Sequence, residues 1–291
     1  MKFIMLSGMS LSLLIACSTN PETNTKIDST PKEVVEVKKS NQEKAVALLT
    51  SIQTGEKAPV GYINPNKYIQ HNLGIADGLA GFGAVLQNAP ESGFKVNVIR
   101  SYSDGDYVFT QTDYDFYGPK IGFDVFRFEN GLIVEHWDNL TAKSDKPNPG
   151  GHTQIDGVTE VTNLDKTAEN KALIQNFVNT ILIGQKYDQS ARFFDGDNYI
   201  QHNTQVPDGV SGFGAAVKAM AEQGIFMVYE KTHKILGQGN FVLTMSEGTF
   251  GGKPTAFYDL FRVENGKVAE HWDVIATIPA KEDWKNENGK F

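Results

Sequence analysis

Two stretches of the chain alternate apolar and polar residues on both sides of an Asn-Gly pair, which is the pattern of a β-hairpin. The first runs from Phe123 to Asp138 and the second from Tyr258 to Asp273, and each residue of the first copy has its counterpart 135 positions later. Upstream, the sequence Tyr-Ile-Gln-His-Asn begins at residue 68 and returns 131 positions later. Two matched blocks in the same order indicate a tandem duplication of one domain.

Each repeat begins with helical periodicity and continues with strand-like alternation. Apolar residues at helical spacing predict helices over 43–54 and 169–183, and a third helix is predicted over 77–86 with Asp77 as its N-cap. Helices followed by an antiparallel sheet predict an α+β fold. The predicted strands are 94–102, 107–117, 121–128 and 132–139 in the first repeat, and 226–236, 241–250, 256–263 and 267–275 in the second.

The N-terminus has the features of a bacterial lipoprotein leader. Lys2 precedes an apolar run, and Leu14-Ile-Ala-Cys17 matches a lipobox, in which the cysteine is lipidated. We therefore predict a signal peptide over 1–16 and a lipid anchor on Cys17, with palmitate among its acyl chains. The expected location is the bacterial cell envelope, on the periplasmic side of a membrane. An ordinary signal peptide or a short buried helix is the alternative.

Composition and the Pro- and Gly-containing stretches divide the rest of the chain into a tether, two domains, a linker and a tail. The polar segment 17–41 predicts a disordered tether. After it we predict domain 1 over 42–145, a linker over 146–166, domain 2 over 167–280 and a C-terminal tail over 281–291. The formal net charge is −8 without a basic stripe, which argues against nucleic-acid binding. Cys17 is the only cysteine, so a thiol nucleophile and a disulfide framework are both excluded once it is lipidated.

The hairpin allows two registers that place its polar residues differently. A two-residue Asn-Gly turn puts Asp124 opposite Trp137, whereas a three-residue loop with a glycine bulge puts Asp124 opposite His136. In the second register one face gathers Asp124, Phe126, Phe128, Val134, His136 and Asp138. Both hairpin types are common, so the hairpin alone leaves the choice open.

The order helix, Tyr-Ile-Gln-His-Asn, Asp-Gly, helix, Phe-Asp-Val-Phe-Arg-Phe-Glu-Asn-Gly and Glu-His-Trp-Asp resembles the SnoaL-like polyketide cyclases of the nuclear transport factor 2-like superfamily. The resemblance covers about residues 42–276, once per repeat. It implies two tandem cone-shaped domains, each with N-terminal helices packed in a strongly curved antiparallel sheet around a pocket. It also favours the three-residue register and an intrachain pseudo-dimer that packs through Arg127, Glu135 and Trp137.

Four of the six histidines form two repeat-equivalent pairs, so they are part of the duplicated unit, in a structural or a chemical role. A carboxylate beside an imidazole in an apolar cup suits general acid/base chemistry, because burial and the neighbouring charge shift both pKa values. The predicted catalytic set is His71, Asp124, His136 and Asp138 in the first repeat, with His202, Asp259, His271 and Asp273 in the second. The predicted ligand-contacting set is Tyr68, Phe82, Phe126, Phe128, Tyr199, Phe213 and Phe261, in which the tyrosines could orient a carbonyl oxygen.

The resemblance implies cofactor-free acid/base catalysis, by aldol condensation or isomerisation, on a small carbonyl compound. Non-catalytic binding of a small apolar or carbonyl-containing ligand is the alternative, and buried Asp–His pairs can also be purely structural. Two histidines and a carboxylate could instead hold a metal, but no ligands show helical spacing, so we predict neither metal nor cofactor. The expected partners are a small ligand, the membrane through the lipid anchor, and the other repeat. Tyr114-Asp115 becomes Gly248-Thr249, so the two pockets are expected to differ.

Overall fold

The computed structural model describes residues 38–291; the predicted signal peptide, the lipidated Cys17 and most of the predicted tether lie outside the described residues. Residues 39–291 form one compact unit that holds two five-stranded sheets of identical topology. Within the described part, helices long and apolar enough to cross a membrane are absent.

The predicted α+β fold class is confirmed, and every predicted helix and strand is present with shifted ends. The first repeat contains α1 (Asn41–Thr54), β1 (Ile69–Gln70), α2 (Gly78–Gln87), β2 (Lys95–Asp104), β3 (Tyr107–Asp115), β4 (Pro119–Glu129) and β5 (Leu132–Ala142). The second contains α3 (Thr167–Phe177), a π-helical continuation (Val178–Ile183), β6 (Ile200–Gln201), α4 (Gly209–Glu222), β7 (Met227–Gln238), β8 (Phe241–Phe250), β9 (Lys253–Glu264) and β10 (Lys267–Thr277). Short 3₁₀ helices lie at Ala58–Tyr62, Leu164–Lys166, Tyr187–Arg192 and Lys281–Asp283.

Local sequence sets the ends of α1. Ser40 and Glu43 form a reciprocal capping box, and Gly55 ends the helix in the left-handed conformation with φ 72°. Asp77 occupies the predicted N-cap position of α2, but its side chain does not cap the helix. Its side chain makes no capping bond and instead accepts the backbone N–H of Gln70 at 2.9 Å, so it fixes the short strand β1.

The strand order is β1-β5-β4-β3-β2 in the first sheet and β6-β10-β9-β8-β7 in the second. The two-residue strand that carries Gln70 runs parallel to β5, and its counterpart with Gln201 runs parallel to β10. All other neighbours are antiparallel. The Tyr-Ile-Gln-His-Asn motif therefore lies directly beside the strand that carries Glu-His-Trp-Asp.

The hairpin register differs from both predicted alternatives. The turn has two residues, because Glu129 pairs with Leu132 and the intervening Asn-Gly pair has positive φ angles of 50° and 76°. A bulge then leaves Val134 unpaired, which moves Asp124 directly opposite Asp138. The favoured three-residue register is thus wrong. The second repeat has the same bulge, and there Asp259 pairs with Asp273.

The bulge keeps the predicted faces of Asp124, Phe126 and His136, but it turns Ile133, predicted on the opposite face, into the core of the first repeat. Phe126 packs with Leu48 and Leu49 of α1 in the core of the first repeat, on the face that also carries Asp124 and His136. The opposite face packs against the second repeat. One hydrophobic cluster joins the two sheets; its members are Tyr102, Phe109, Ile121, Phe123, Val125, Trp137, Leu236, Phe241, Leu243, Met245, Ala256, Tyr258, Leu260, Trp272 and Val274.

The two tryptophans lie in this shared core, where each meets a cation of the other repeat. The ammonium of Lys234 lies 4.1 Å from the Trp137 ring centroid, and the guanidinium of Arg100 lies 4.3 Å from that of Trp272. Asn139 adds a direct polar link by donating to two backbone carbonyls of β9 and β10, at 3.0 and 2.7 Å. The two repeats therefore pack as an intrachain pseudo-dimer.

Two chain segments cross from one repeat to the other. The inter-repeat segment (residues 146–158) lies against the second repeat, where Asn148 donates to the carbonyl of Gln201 at 2.6 Å. The tail segment (residues 284–291) lies against the first, where Asn288 donates to the carbonyl of Gln70 at 3.0 Å. Since Gln70 and Gln201 are repeat-equivalent, each segment contacts the same motif in the opposite repeat.

Candidate functional site

The second repeat carries a linked group of polar side chains on the face that is turned toward its helices. His271 contributes Nε2, which lies 3.0 Å from Oδ1 of Asp259 on the neighbouring strand. Its Nδ1 lies 2.9 Å from Oε1 of Gln201, on the short parallel strand at the other side. Three adjacent strands thus position one Gln–His–Asp chain.

The hydrogen bonds of Gln201 fix the tautomer of this histidine. Oε1 of Gln201 also accepts the backbone N–H groups of His202 and Asn203, at 3.0 and 3.1 Å. That oxygen is therefore an acceptor, and His271 must donate to it from Nδ1. A proton then lies in the hydrogen bond between Nε2 and the Asp259 carboxylate, and an acid/base role of this pair stays a prediction.

Asp273 lies directly across the strands from Asp259 and is partly exposed. Burial and the nearby Asp259 carboxylate raise its pKa, against the lowering effect of His271 and of a 2.7 Å hydrogen bond from the side chain of Asn203. A carboxylate with a raised pKa is a stronger base than an ordinary surface aspartate. Asp273 is therefore the carboxylate of this group best suited to accept a proton.

Two buried tyrosines complete the polar group. The Tyr229 hydroxyl donates to both carboxylate oxygens of Asp259, at 3.1 and 3.2 Å. Tyr199 stacks parallel to His271, with ring centroids 6.3 Å apart. Burial and the carboxylates of Asp259 and Asp273 raise both tyrosine pKa values well above the ordinary value, so both hydroxyls stay protonated.

A cavity of about 450 Å³ opens above these groups in the second repeat. Its walls combine apolar side chains with the linked polar group, as in ligand pockets in general. Gln154 of the inter-repeat segment also borders it. The polar group contributes Tyr199, Gln201, Asn203, Tyr229, Asp259, His271 and Asp273, and the apolar walls include Phe177, Leu182, Phe194, Phe213, Met220, Met227, Phe250, Phe261 and Ile275.

The first repeat has the same polar chain, built from equivalent residues. His136 lies 3.2 Å from Oδ1 of Asp124 and 3.1 Å from Oε1 of Gln70, and Asn72 donates to Asp138 at 2.6 Å. The cavity here is different. It measures about 430 Å³ and is bordered by Asp138 and Asn72, but Asp124 and His136 do not line it.

The two repeats also differ in the strand that supplies the tyrosine bonded to the aspartate. In the first repeat Tyr114 extends from β3 and donates to Asp124 at 2.6 Å, whereas in the second Tyr229 extends from β7. The position of Tyr114 is taken by Gly248, which pairs with Tyr229. A Cβ atom at Gly248 would lie 1.9 Å from the carbonyl oxygen of Val228, so the site requires glycine. The Tyr114 ring of the first repeat is thus replaced in the second by the Tyr229 ring, which comes from the neighbouring strand.

The predicted ligand-contacting residues divide by repeat. Tyr199, Phe213 and Phe261 line the cavity of the second repeat. The four predicted residues of the first repeat contribute to its packed interior and do not border the cavity described there; they are Tyr68, Phe82, Phe126 and Phe128.

The expectation that His71 and His202 face the pockets is wrong. Each follows the inward-facing glutamine of β1 or β6 by one residue, so it points to the opposite face. The ring of His202 stacks on Trp272 with a centroid distance of 4.6 Å, and its Nε2 lies 2.8 Å from Glu270. His71 contacts Trp137 and Glu135 in the same way.

These histidines belong to the ion-pair groups at the junction of the repeats. Burial alone would raise the pKa of Glu270, but hydrogen bonds from His202 and Arg262 lower it overall. Arg262 pairs with Glu270 and Arg127 pairs with Glu135, each with an N–O distance of 2.6 Å.

The sequence analysis missed two pairs of site residues that the repeat itself could have identified. Gln70 with Gln201 and Asn72 with Asn203 lie in the duplicated pentapeptide, beside the histidines that were selected. Tyr229 could not be found in this way, because its repeat equivalent is Val96.

Among residues 38–291, three groups of histidine and carboxylate side chains bring possible metal-ligating atoms within 4.8 Å of one another. Two of them are the acid/base groups just described, in which the histidine is already bonded to an aspartate. The third consists of His152, Asp156 and His202, outside both cavities. The prediction of cofactor-free chemistry stays a prediction.

The fold and site define an α+β protein with a partly apolar cavity that a Gln–His–Asp chain borders. Solved structures similar to this chain include an NTF-2 like protein from Burkholderia xenovorans (15% identity, 40% of this chain and 89% of that one, TM-score 0.33). They also include a SnoaL-like polyketide cyclase from Agrobacterium tumefaciens (14% identity, 37% and 91%, TM-score 0.30). An LEH-like epoxide hydrolase from M. tuberculosis is 22% identical; the match covers 38% of this chain and 85% of that one, with a TM-score of 0.31.

These proteins are of the kind that the sequence motifs resemble. With such low identities and TM-scores, the similarities assign neither an activity nor a ligand to this chain. Comparison with models of protein families gave no match. A search of curated proteins at the sequence level also found none.

Proposed function

We propose that the cavity of the second repeat catalyses acid/base chemistry, without a cofactor, on a small carbonyl compound. The observation that carries this proposal is the partly exposed Asp273 carboxylate, whose pKa is raised, in a cavity that also has apolar walls. Directly opposite lies the Asp259–His271 pair, which shares a proton. A base and a proton donor within one cavity are the two groups that enolisation requires.

The chemistry follows from these positions. Asp273 removes a proton from the carbon next to the carbonyl group, and the electron pair moves to the carbonyl oxygen. The protonated Tyr199 hydroxyl is the donor that we assign to this oxygen, because it lines the same cavity. Return of the proton to another carbon gives isomerisation, and attack of the enolate carbon on a second carbonyl group gives aldol condensation.

Deuterium exchange tests this proposal without knowledge of the natural substrate. Residues 38–291 are incubated in heavy water with small β-dicarbonyl compounds and cyclic ketones, and deuterium uptake at the α-carbon is measured. We expect uptake above buffer background that disappears in Asp273→Asn. The matched control is Asp138→Asn, the same change at the equivalent position of the first repeat.

The two variants also decide which repeat is active. Retained exchange in Asp138→Asn with loss in Asp273→Asn supports a single active cavity in the second repeat. The reverse result assigns the reaction to the first repeat. Equal exchange in wild type and Asp273→Asn refutes the assignment of this base.

Binding without chemistry is a second candidate function, and one observation favours it. The first repeat keeps the same Gln–His–Asp chain although its aspartate and histidine do not line the cavity, so the chain can serve packing alone. A binding protein would hold a small apolar ligand against Phe213 and Phe261. Saturable ligand binding to the 450 Å³ cavity, with no exchange for any compound tested, would support this function over catalysis.

We further propose that the protein is attached to a membrane of the bacterial envelope through lipid on Cys17. The support is the sequence Leu14-Ile-Ala-Cys17 after an apolar run. Metabolic labelling with a palmitate analogue tests it: wild type should be labelled and fractionate with membranes, and Cys17→Ser should lose the label. An unlabelled wild-type protein would refute the anchor.

A further inference from the structure

A group of side chains at the junction of the inter-repeat segment and the second repeat has no equivalent in the first repeat. It consists of His152 and Asp156 of the segment and His202 of the repeat, and one possible ligand atom of each lies within 4.8 Å of the others. Nδ1 of His202 is 2.8 Å from Oδ1 of Asp156, and Nδ1 of His152 is 3.9 Å from Oδ2. Both imidazoles therefore turn the same nitrogen toward one carboxylate.

The second nitrogen of each imidazole is bonded to a separate carboxylate. Nε2 of His202 lies 2.8 Å from Glu270, and Nε2 of His152 lies 3.1 Å from Asp208. Histidines that bind metals usually donate their other N–H to a carboxylate or carbonyl, which orients the ring and makes the free nitrogen a better ligand. His152, His202 and Asp156 would thus form the inner layer of such a site. Asp208 and Glu270 would form the outer layer that orients the two histidines.

We propose that His152, Asp156 and His202 bind a divalent transition metal, with Zn²⁺ as the ion that suits these ligands best. Two imidazole nitrogens and one carboxylate are a common protein ligand set for Zn²⁺, and water would take the fourth position. Tetrahedral ligands at about 2.0–2.1 Å from zinc lie roughly 3.3 Å apart. The 2.8 Å between His202 and Asp156 must therefore open and the 3.9 Å between His152 and Asp156 must close, which the 30% and 44% side-chain exposure of His152 and Asp156 permits.

The surrounding charges favour a cation here. Asp156, Asp208 and Glu270 face the two histidines. Two cations lie nearby: Arg262 pairs with Glu270 at 2.6 Å, and Arg100 donates to the backbone carbonyl of Asp156. Nδ1 of His202 also lies 2.7 Å from the carbonyl oxygen of Thr153, so acceptors surround it. Either a proton or a metal ion can compensate these acceptors, and the experiment below distinguishes the two.

A bound metal would hold the inter-repeat segment on the second repeat. The segment already approaches closely, since a Cβ atom at Gly157, where φ is 88°, would lie 2.1 Å from Oε1 of Glu270. Gln154, between the two ligands that the segment supplies, borders the 450 Å³ cavity. The metal would therefore fix one wall of that cavity, while the ligands themselves lie outside it.

Metal titration of residues 38–291 tests the proposal directly. After treatment with a chelator and its removal, the protein is titrated with ZnCl₂ in a calorimeter and with CoCl₂ in an absorption spectrometer. We expect about one equivalent of Zn²⁺ to bind and to raise Tm, because the metal binds only the folded site. Cobalt should give the visible absorption of a tetrahedral complex.

The variants change His152 and Asp156, which are partly exposed, because His202 is fully buried and also contributes to packing. His152→Ala and Asp156→Asn should each weaken zinc binding by at least about tenfold, and Asp208→Asn by about 10- to 100-fold through the outer layer. The control is His233→Ala, which removes a histidine that lies outside the cluster and stacks on Phe291. It should bind zinc like wild type.

Equal Tm values of wild type and variants in chelator would show that the substitutions do not unfold the protein. Unchanged zinc affinity in the double variant His152→Ala/Asp156→Asn would overturn the proposal, as would an equal loss in His233→Ala. If wild-type protein binds no Zn²⁺ and gives no visible cobalt spectrum at neutral pH, a proton and not a metal ion lies between these acceptors. That result also overturns the proposal, independently of the variants.

Discussion

Removal of the Tyr114 hydroxyl measures how much one hydrogen bond of the polar network in the first repeat contributes to the free energy of unfolding. Tyr114 is 3% exposed, and its hydroxyl lies 2.6 Å from Oδ2 of Asp124. Burial and the charge of Asp124 raise its pKa well above the ordinary value, so it donates across the physiological pH range. Tyr114→Phe removes this single donor and leaves the ring in place, with little change in volume.

The expected loss follows from the geometry. A hydrogen bond to a charged group contributes about 1.5–3 kcal/mol, and the other contacts of this oxygen cannot replace it, since Thr110 lies 3.5 Å away. Tyr229→Phe in the second repeat breaks two longer bonds of 3.1 and 3.2 Å and should cost less, about 0.5–1.5 kcal/mol. Tyr117→Phe is the control, because this tyrosine is 68% exposed. Its change should stay within about 0.5 kcal/mol.

Urea unfolding of residues 38–291, followed by circular dichroism, measures all three differences. For a chain of this size Tyr114→Phe should also lower Tm by roughly 3–12 °C. The order of loss should be Tyr114→Phe, then Tyr229→Phe, then Tyr117→Phe. A Tyr114→Phe protein within about 0.5 kcal/mol of wild type would refute the reasoning, because Asp124 would then be satisfied without this donor.

Three further changes test other parts of the structure. Asn139→Ala removes two buried hydrogen bonds between the repeats and should cost about 2–4 kcal/mol in urea unfolding, whereas the exposed Asn179→Ala should cost less than about 0.5; equal losses would argue against this link. Gly248→Ala places a methyl group 1.9 Å from a backbone oxygen and should lower Tm and reduce ligand binding in the second cavity; unchanged values would show that β7 can move away. The pKa of Glu270 is lowered in the folded state, so its stabilising contribution is present above the unfolded value of about 4.3 and is lost as pH falls through the folded value. The unfolding free energies of wild type and Glu270→Gln should therefore converge as pH falls below the folded-state pKa of Glu270, and a constant difference would contradict this sign.

The chain by itself determined the elements and their order. Apolar spacing located the helices and strands, and the duplicated motifs showed that the unit occurs twice. The same alternation assigned Asp124, Phe126, His136 and Asp138 to one face and Trp137 to the other. These features follow from local periodicity, because side chains in a strand alternate strictly between its two faces.

Tertiary structure decided the features that depend on register and on distant segments. One unpaired residue, Val134, moved Asp124 opposite Asp138, and a bulge of this kind depends on the packing of the whole strand. The face of His71 depends on β1 pairing with β5, more than 60 residues later in the chain. The same motif supplied Gln70, which the sequence analysis did not select.

The difference between the two cavities also required the folded chain. The sequence shows Tyr114 replaced by Gly248, but only strand pairing shows that Tyr229 reaches Asp259 from another strand. Likewise, His152 has no counterpart in the first repeat, and only the path of the inter-repeat segment brings it beside His202. Periodicity in the sequence indicates which face of its own strand or helix each residue occupies. Contacts between segments far apart in sequence depend on the packing of both repeats, so the composition of the site became visible only in three dimensions.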